Sequence, residues 1–194
     1  WTGLPGAAPD SDEIYAELRA RWRAFLLGGT GDDLDQEDPA IQIYLKKLDE
    51  RANGYWRNLN REPGDTGAIF SDLPLSGAAA MDSAASGNLG AAFQRLLTLA
   101  LAWATKGCAL YQNAGVLGGI TAAADHMTAN HFKIGRYSRS DGEKKPFGNW
   151  YHWEVTCPIA LGGLAMGLYD ELTERPIRTY AETIRYYVNT CTEP

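Results

Sequence analysis

The sequence has 194 residues, a length that fits one domain or part of a larger one. Hydrophobic residues make up 45% of it, enough for a sizeable core, while 18 basic and 24 acidic residues give a net charge of −6. This balance excludes the broad basic surface typical of nucleic-acid binders, and no apolar run is long enough to span a membrane. An anionic polysaccharide is not excluded, because a local cationic pocket decides such a contact.

Helical periodicity predicts six helices and no convincing strand. Residues 1–10, rich in Gly and Pro, predict an extended leader. The predicted helices span residues 12–27, 39–60, 88–106, 113–132, 158–170 and 173–187. Asp38 before Pro39, Asn88 and Asn113 are the expected N-caps. Six helices with alternating short and long connections predict an all-α fold of stacked antiparallel hairpins, as in an α/α toroid or solenoid.

Hydrophobic spacing also predicts which residues form the core. Trp22, Trp56 and Trp103 lie within periodic apolar stripes, and we interpret all three as core residues. The long connection 61–87 is expected to be pinned to the body by three apolar residues. These are Ile69, Phe70 and Leu73. A structureless connection of this length often borders a functional site.

Familiar catalytic and metal-binding motifs are absent from the sequence. His126 and His131 are five residues apart on one predicted helix, so they do not share a face as an i, i+4 metal pair would. Glu154 with Asp170 or Glu171 would supply the two carboxylates of a glycosidase, but a helix separates them. We therefore expect no metal and no cofactor.

The N-terminus and the cysteines give little information about the cellular compartment. The sequence begins with Trp1 instead of Met, so we expect a processed or replaced N-terminus and a signal peptide, if one existed, already removed. Cys108, Cys157 and Cys191 lack metal-ligand spacing. We expect buried free thiols, with at most one pair forming a disulfide.

The segment 133–148 is polar and basic. It contains five of the 18 basic residues, namely Lys133, Arg136, Arg139, Lys144 and Lys145. A solvated turn is one interpretation of this composition. Contact with an acidic sugar chain is the other, because the basic residues lead directly into an aromatic stretch.

That stretch, Asn149 to Pro158, places four ring-bearing side chains in succession at residues 150–153. They cannot all be buried on one face of a regular element, so some must be exposed. One interpretation is a wide joint between helices whose rings fill a core. The other is a carbohydrate-facing platform, because flat rings stack on sugar faces while Asn, His and Glu supply hydrogen bonds.

The same stretch, continued by Ile-Ala-Leu, resembles a motif of the family 8 polysaccharide lyases, which comprise hyaluronate, chondroitin AC and xanthan lyases. The family motif reads Asn-Trp-Trp-x-Trp-Glu/Gln-[Ile/Leu]-Gly-x-Pro-x-x-Leu. Weaker collinear matches are Leu18-Arg19 with Trp22, Ala52-Asn53-Gly54-Tyr55-Trp56, and Leu110-Tyr111-Gln112-Asn113-Ala114. The last two, with His152, look most like xanthan lyases. Tyr151 replaces the second Trp of the motif and Thr156 its Gly, which puts the sugar selection in doubt.

The resemblance implies that residues 11–194 are the N-terminal part of an α/α toroid, which would be incomplete here. The catalytic Asn, His, Tyr and Arg of the family lie downstream of the matched segment, so we expect no catalytic residue in this chain. Further toroid helices and β-sandwich domains are the implied remainder of the lyase. The resemblance also implies a secreted, extracellular protein.

The implied reaction is β-elimination at a uronic acid of xanthan or a glycosaminoglycan, in which a base removes the proton next to a neutralised carboxylate. This segment would supply the aromatic wall of the cleft. The expected substrate-binding residues are Asn149, Trp150, Tyr151, His152, Trp153, Arg136 and Arg139. The alternative is a non-catalytic helical module that binds carbohydrate.

Overall fold

The computed structural model describes residues 11–29, 32–64, 67–75, 83–135 and 148–188. Six α-helices account for most of them. They are α1 Ser11–Leu27, α2 Pro39–Asn58, α3 Ser83–Ala104, α4 Ala114–Asn130, α5 Cys157–Gly167 and α6 Glu174–Val188. Within these ranges the only β-type pairing is an isolated bridge between Leu59 and Phe70. The all-α prediction is therefore confirmed.

The helices α3 and α5 form the centre of the fold. Arg95 is the only charged residue in α3, and α5 has none, so both helices are apolar around most of their circumference. A helix of that kind is stable only when neighbours cover it. The helices α2 and α4 pack on α3, while α1 and α6 pack on α5. None of the helices in the described ranges has both the length and the apolarity that crossing a bilayer would require.

Glycines allow the helices to approach closely. A methyl group at Gly163 of α5 would lie 3.0 Å from the Cδ1 atom of Leu97 in α3. At Gly119 of α4 it would lie 2.6 Å from the indole ring of Trp56 in α2. Both distances are shorter than an ordinary carbon–carbon contact, so these two positions tolerate no side chain without movement of a neighbour.

Capping residues and glycines in the sequence correctly predicted several helix ends. The Asp38 carboxylate accepts hydrogen bonds from the N–H groups of Ala40 and Ile41, and Asn113 Oδ1 accepts from Gly115 and Val116. Gly28 and Gly29 end α1 with φ angles of 73° and 146°, which glycine adopts at little cost. These caps confirm the predicted starts of α2 and α4 and the predicted end of α1.

The predicted start of α3 was wrong, and the helical region that contains α5 begins earlier than predicted. The helix α3 begins at Ser83, and Asn88 lies inside it, where its Nδ2 donates to the Pro74 carbonyl oxygen at 3.0 Å. Pro158 lies in the first turn of α5, as predicted, but the chain before α5 is already helical from Trp150. In both cases contacts with distant residues favour helix where the local signals predicted a boundary.

The tryptophan prediction was correct in part. Trp103 is buried, and its Nε1 donates to the Asn113 carbonyl oxygen at 3.0 Å. Trp56 is half-buried and covered by the Arg61 guanidinium, 4.0 Å from its ring centroid. Trp22 is 54% exposed, so its assignment to the core was wrong.

The connection before α3 is pinned as expected. Ile69 and Phe70 are fully buried, and Leu73 is almost so. The Arg95 guanidinium binds both oxygens of the Asp72 carboxylate at 2.8 and 2.6 Å, which lowers the pKa of that carboxyl group. This bidentate ion pair ties the connection to α3.

The two helix-borne histidines also hold this connection, contrary to the prediction that they would lie apart. The Nε2 atoms of His126 and His131 lie 3.0 and 3.2 Å from the same carbonyl oxygen, that of Gly67. The rings meet because α4 ends at Asn130 and His131 is its C-cap. A carbonyl oxygen only accepts, so both rings donate through Nε2.

Adjacent glycines in α4 provide a test of the close packing. Gly118→Ala adds a methyl group that meets nothing within 4 Å, while Gly119→Ala adds one 2.6 Å from Trp56. The two substitutions gain the same helix propensity, about 1 kcal/mol. We expect Gly118→Ala to raise the free energy of unfolding in urea and Gly119→Ala to lower it, because overpacking costs roughly 1–3 kcal/mol. Equal effects of the two substitutions would contradict the packing of Trp56 on α4.

Candidate functional site

The candidate site begins where the chain enters its fifth helical region. Gly148 turns the chain with φ at 64°, and the following Asn149 caps the helix that starts at Trp150. Asn149 Oδ1 accepts a hydrogen bond from the Tyr151 N–H at 3.1 Å. The Asn149 N–H donates to Ser86 Oγ of α3 at 3.0 Å. The entry point of this helix is therefore fixed to the buried N-terminal turn of α3.

A π-helical segment, His152–Thr156, follows and leads into α5. Its i, i+5 hydrogen bonding is seen where the Cys157 N–H donates to the His152 carbonyl oxygen. Pro158 has no N–H to donate to the residue four positions earlier, and the wider turn accommodates it. The helical region therefore begins before Pro158, which still lies in the first turn of α5 as predicted.

Trp150 and Tyr151 form an exposed aromatic platform. Their side chains are 57% and 49% exposed, and their ring centroids lie 5.9 Å apart with the planes at 79°. The ring of His152 continues the series 6.2 Å from Tyr151, also edge to face. The prediction that part of the stretch is exposed is confirmed by these two residues.

Trp153 lies on the opposite side, in the core. It is 4% exposed, and its ring packs against Phe132 at 5.9 Å and Tyr187 at 5.5 Å. Phe132 and Tyr187 in turn stack at 4.2 Å. Burial of Trp153 leaves it no surface for a sugar, so its predicted substrate contact is replaced by a packing role. The stretch thus combines both interpretations, with a core-filling ring and an exposed platform on one helix.

His152 connects the platform to α3. A methyl group at Gly90 would lie 3.0 Å from His152 Nδ1 and 3.0 Å from Thr156 Cγ2, so the π-helical segment rests directly on a glycine. The Nδ1 atom is buried and finds no hydrogen-bond partner among the described residues. The Cδ2–Nε2 side of the ring faces Gly87 more loosely, with 3.8 Å to a methyl group placed there.

The carboxylates that would make a glycosidase do not converge. Glu154 lies in the π-helical segment and is half-buried, which raises the pKa of its carboxyl group. Asp170 and Glu171 follow α5, whose 11 residues span about 16 Å at the usual rise. Glycosidase carboxylates lie about 5–10 Å apart. No cluster of three metal-ligating side chains occurs among the residues that the structure describes.

The basic segment leaves the described structure after residue 135 and re-enters it at Gly148, two residues before the platform. The Tyr187 hydroxyl donates to the Lys133 carbonyl oxygen at 2.8 Å, and Lys133 itself is exposed. Arg136 and Arg139, predicted to bind substrate, lie outside the described residues, as do Lys144 and Lys145. Cys191 also lies outside them. Cys108 and Cys157 are buried free thiols as predicted, and burial raises the pKa of Cys108 to about 11.

Sequence reasoning missed the contacts that hold this site. The sequence did not predict that Asn149 Oδ1 caps the helix, and the predicted contact of Asn149 with substrate stays a prediction. Gly148 followed by Asn is a recognisable signal for such a start. No sequence pattern indicated that Ser86 accepts a hydrogen bond from Asn149 or that Gly90 contacts the π-helical segment. Both contacts depend on which surface of α3 faces that segment.

Comparison with known proteins places these residues in context. Residues 22–192 match the family model described as polysaccharide lyase family 8, N-terminal alpha-helical domain. A xanthan lyase of Bacillus sp. (strain GL1) is 35% identical over 188 residues, which cover 96% of this chain and 18% of that protein. A hyaluronate lyase of Enterococcus faecalis is 29% identical over 189 residues, covering 96% of this chain and 17% of that protein.

A solved structure gives the same result for the fold. The xanthan lyase of Paenibacillus matches with a TM-score of 0.79 and 28% identity, over 96% of this chain and 16% of that one. The chain thus spans less than a fifth of the length of these relatives.

Gly90→Ala tests how the site is held. Its methyl group would displace His152 and Thr156, and we expect a lower free energy of unfolding despite the gain in helix propensity. Gly54→Ala in α2 is the control, since a methyl group there meets nothing within 4 Å. Urea unfolding of both variants measures the effect. A Gly90→Ala variant as stable as the control would show that the segment does not rest on this glycine.

Proposed function

The chain belongs to polysaccharide lyase family 8, and on that premise we propose that it is the N-terminal helical portion of a lyase that cleaves a uronic-acid-containing polysaccharide by β-elimination. Xanthan is the first candidate substrate and a glycosaminoglycan the second. The aromatic platform forms the sugar-stacking wall of the cleft. The observation that carries this proposal is the exposure of Trp150 and Tyr151 on the same helical segment whose Trp153 is buried.

The geometry suits stacking on a sugar chain. An exposed indole offers a flat apolar face, and the Tyr151 ring stands nearly perpendicular to it, so the pair borders a corner instead of a flat surface. A sugar ring on the indole would meet the phenol at its edge, and the tyrosine hydroxyl can exchange hydrogen bonds with sugar hydroxyls. The pair would therefore fix both the position and the rotation of one sugar unit.

The rigidity of the platform supports a positioning role. Trp150 follows an anchored cap, and Trp153, three residues later, is held in the aromatic core. Positioning raises a rate when the reacting atoms are held close to their reactive geometry. In β-elimination a base removes the proton at C5 of the uronate, the bond from C4 to the glycosidic oxygen breaks, and a double bond forms between C4 and C5. The departing oxygen takes the electron pair of the broken bond and a proton, and becomes a hydroxyl group. The platform would hold the polymer while groups elsewhere in the lyase carry out these steps.

Polar and charged groups near the platform suit an acidic polymer. No hydrogen bond from Asn149 Nδ2 to the described residues is seen, and the side chain is exposed, so this donor is open to a sugar oxygen. Lys133, at the start of the basic segment that leads into the platform, is exposed. We include Arg136 and Arg139 in the proposed site as additional partners for carboxylates.

The proposed substrate also suggests the location. A polysaccharide is too large and too polar to cross a membrane unaided, so a lyase that depolymerises it would act outside the cell. We therefore propose that the protein is secreted.

Removing the indole tests the platform. In the complete lyase, Trp150→Ala should lower kcat/KM on the polymer by roughly tenfold to a hundredfold, because the sugar loses its stacking surface and its register. The measurement is the absorbance of the unsaturated uronate product. Trp150→Phe, which keeps a flat ring, should retain most of the activity.

Ile43→Ala is the matched control for this substitution. Ile43 is exposed to a similar extent, at 56%, but lies on α2. Its loss should leave kcat/KM unchanged. If Trp150→Ala behaves like Ile43→Ala, the platform does not contact the substrate.

The separate chain provides a second test. It should form no unsaturated product from xanthan or a glycosaminoglycan, because the proposed role is positioning without chemistry. Product formation by the 194-residue chain, abolished by a substitution within it, would place the catalytic groups here. Tight binding of acidic oligosaccharide without turnover in any longer form would favour the helical carbohydrate-binding module.

A further inference from the structure

A second group of exposed apolar side chains lies along α1. Four side chains spaced at helical intervals on this helix point away from the core. They are Ile14, Leu18, Trp22 and Phe25, with exposed fractions between 41% and 78%. The rings of Trp22 and Phe25 lie 5.9 Å apart. A helix of a folded domain normally turns such a stripe inward, so this arrangement requires an explanation.

The stripe borders a groove between α1 and α5. Its volume is about 510 Å³. The walls are Tyr15, Leu18 and Trp22 on one side and Ile159, Met166 and Tyr169 on the other. Ile159 is 67% exposed although it lies in the otherwise buried α5. An open apolar surface of this kind is typical of an interaction site.

The lining does not suit a sugar. Arg19 is the one charged residue in the lining, and its guanidinium lies 4.4 Å from the centroid of the Tyr169 ring. The remaining side chains are aliphatic or aromatic, and only the two tyrosine hydroxyls could exchange hydrogen bonds with a sugar. A polysaccharide site needs more convergent polar groups than this. The groove therefore differs in kind from the platform, although both contain an exposed tryptophan.

The spacing of the stripe matches the recognition of another helix. Residues at i, i+4, i+8 and i+11 form a continuous ridge, which packs into the groove of a second helix. In an array of stacked hairpins each unit buries the apolar face of its neighbour. Because the chain spans only 16–18% of the xanthan lyases that it resembles, a lyase of this family contains much more polypeptide that could supply the helix.

We propose that the groove between α1 and α5 is the docking surface for a helix from another part of the same lyase polypeptide. This inference rests on the proposed function, since it requires the chain to be one portion of a larger lyase. The docked helix presents aliphatic side chains to Leu18, Trp22 and Ile159. It thereby completes the burial of α1, which the described residues cover on one side only.

Oxidative footprinting of the complete lyase tests the proposal. Hydroxyl radicals modify exposed indoles, and peptide mass spectrometry gives the rate for each tryptophan separately. Trp103, which is 5% exposed, is the internal reference for a buried ring. Trp22 is expected to react as slowly as Trp103, several-fold more slowly than its 54% exposure in this chain would allow. This protection should persist on dilution.

A rate for Trp22 well above that of Trp103 would overturn the proposal. Protection that disappears on dilution would overturn it as well, because the occupant would then be a second copy or a separate protein. Trp150 reports independently on the proposed function. Addition of an acidic oligosaccharide should slow the modification of Trp150 and leave Trp22 unchanged, so the failure of either idea is visible without the other.

Discussion

The close contact of α3 with the helical region that leads into α5 is the constraint on which the rest of this structure depends. Two apolar helices can approach so closely only because Gly90 and Gly163 present no side chain at the contact. The contact buries both helices and fixes the π-helical segment against α3. The aromatic platform is therefore positioned by the packing of the core. A change in that packing would move the platform with it.

One helix serves two purposes through the direction of its side chains. Trp150 and Tyr151 point to solvent, while Trp153 and Cys157 point to the core. Successive helical residues differ in direction by about 100°, so consecutive rings separate naturally into the two groups. The aromatic cluster of Trp153, Phe132 and Tyr187 then supports the exposed pair from behind. This arrangement is suited to holding a ligand in place.

Much of the fold could be predicted from the sequence, because it depends on local signals. The caps at Asp38 and Asn113 and the glycines after Leu27 each act within a few residues. Exposure of the platform followed from the impossibility of burying four successive rings. The failures concern distant contacts. The start of α3, the exposure of Trp22, and the meeting of His126 with His131 depend on neighbours that periodicity does not reveal.

The proposed function requires that the exposed rings of Trp150 and Tyr151 contact the substrate. A structure of the complete lyase with a bound uronate-containing oligosaccharide tests this most directly. We expect a sugar ring to lie against the face of Trp150, with Tyr151 at the edge of the sugar and His152 still packed on Gly90. An oligosaccharide bound elsewhere, with Trp150 covered by protein or facing open solvent, would contradict it.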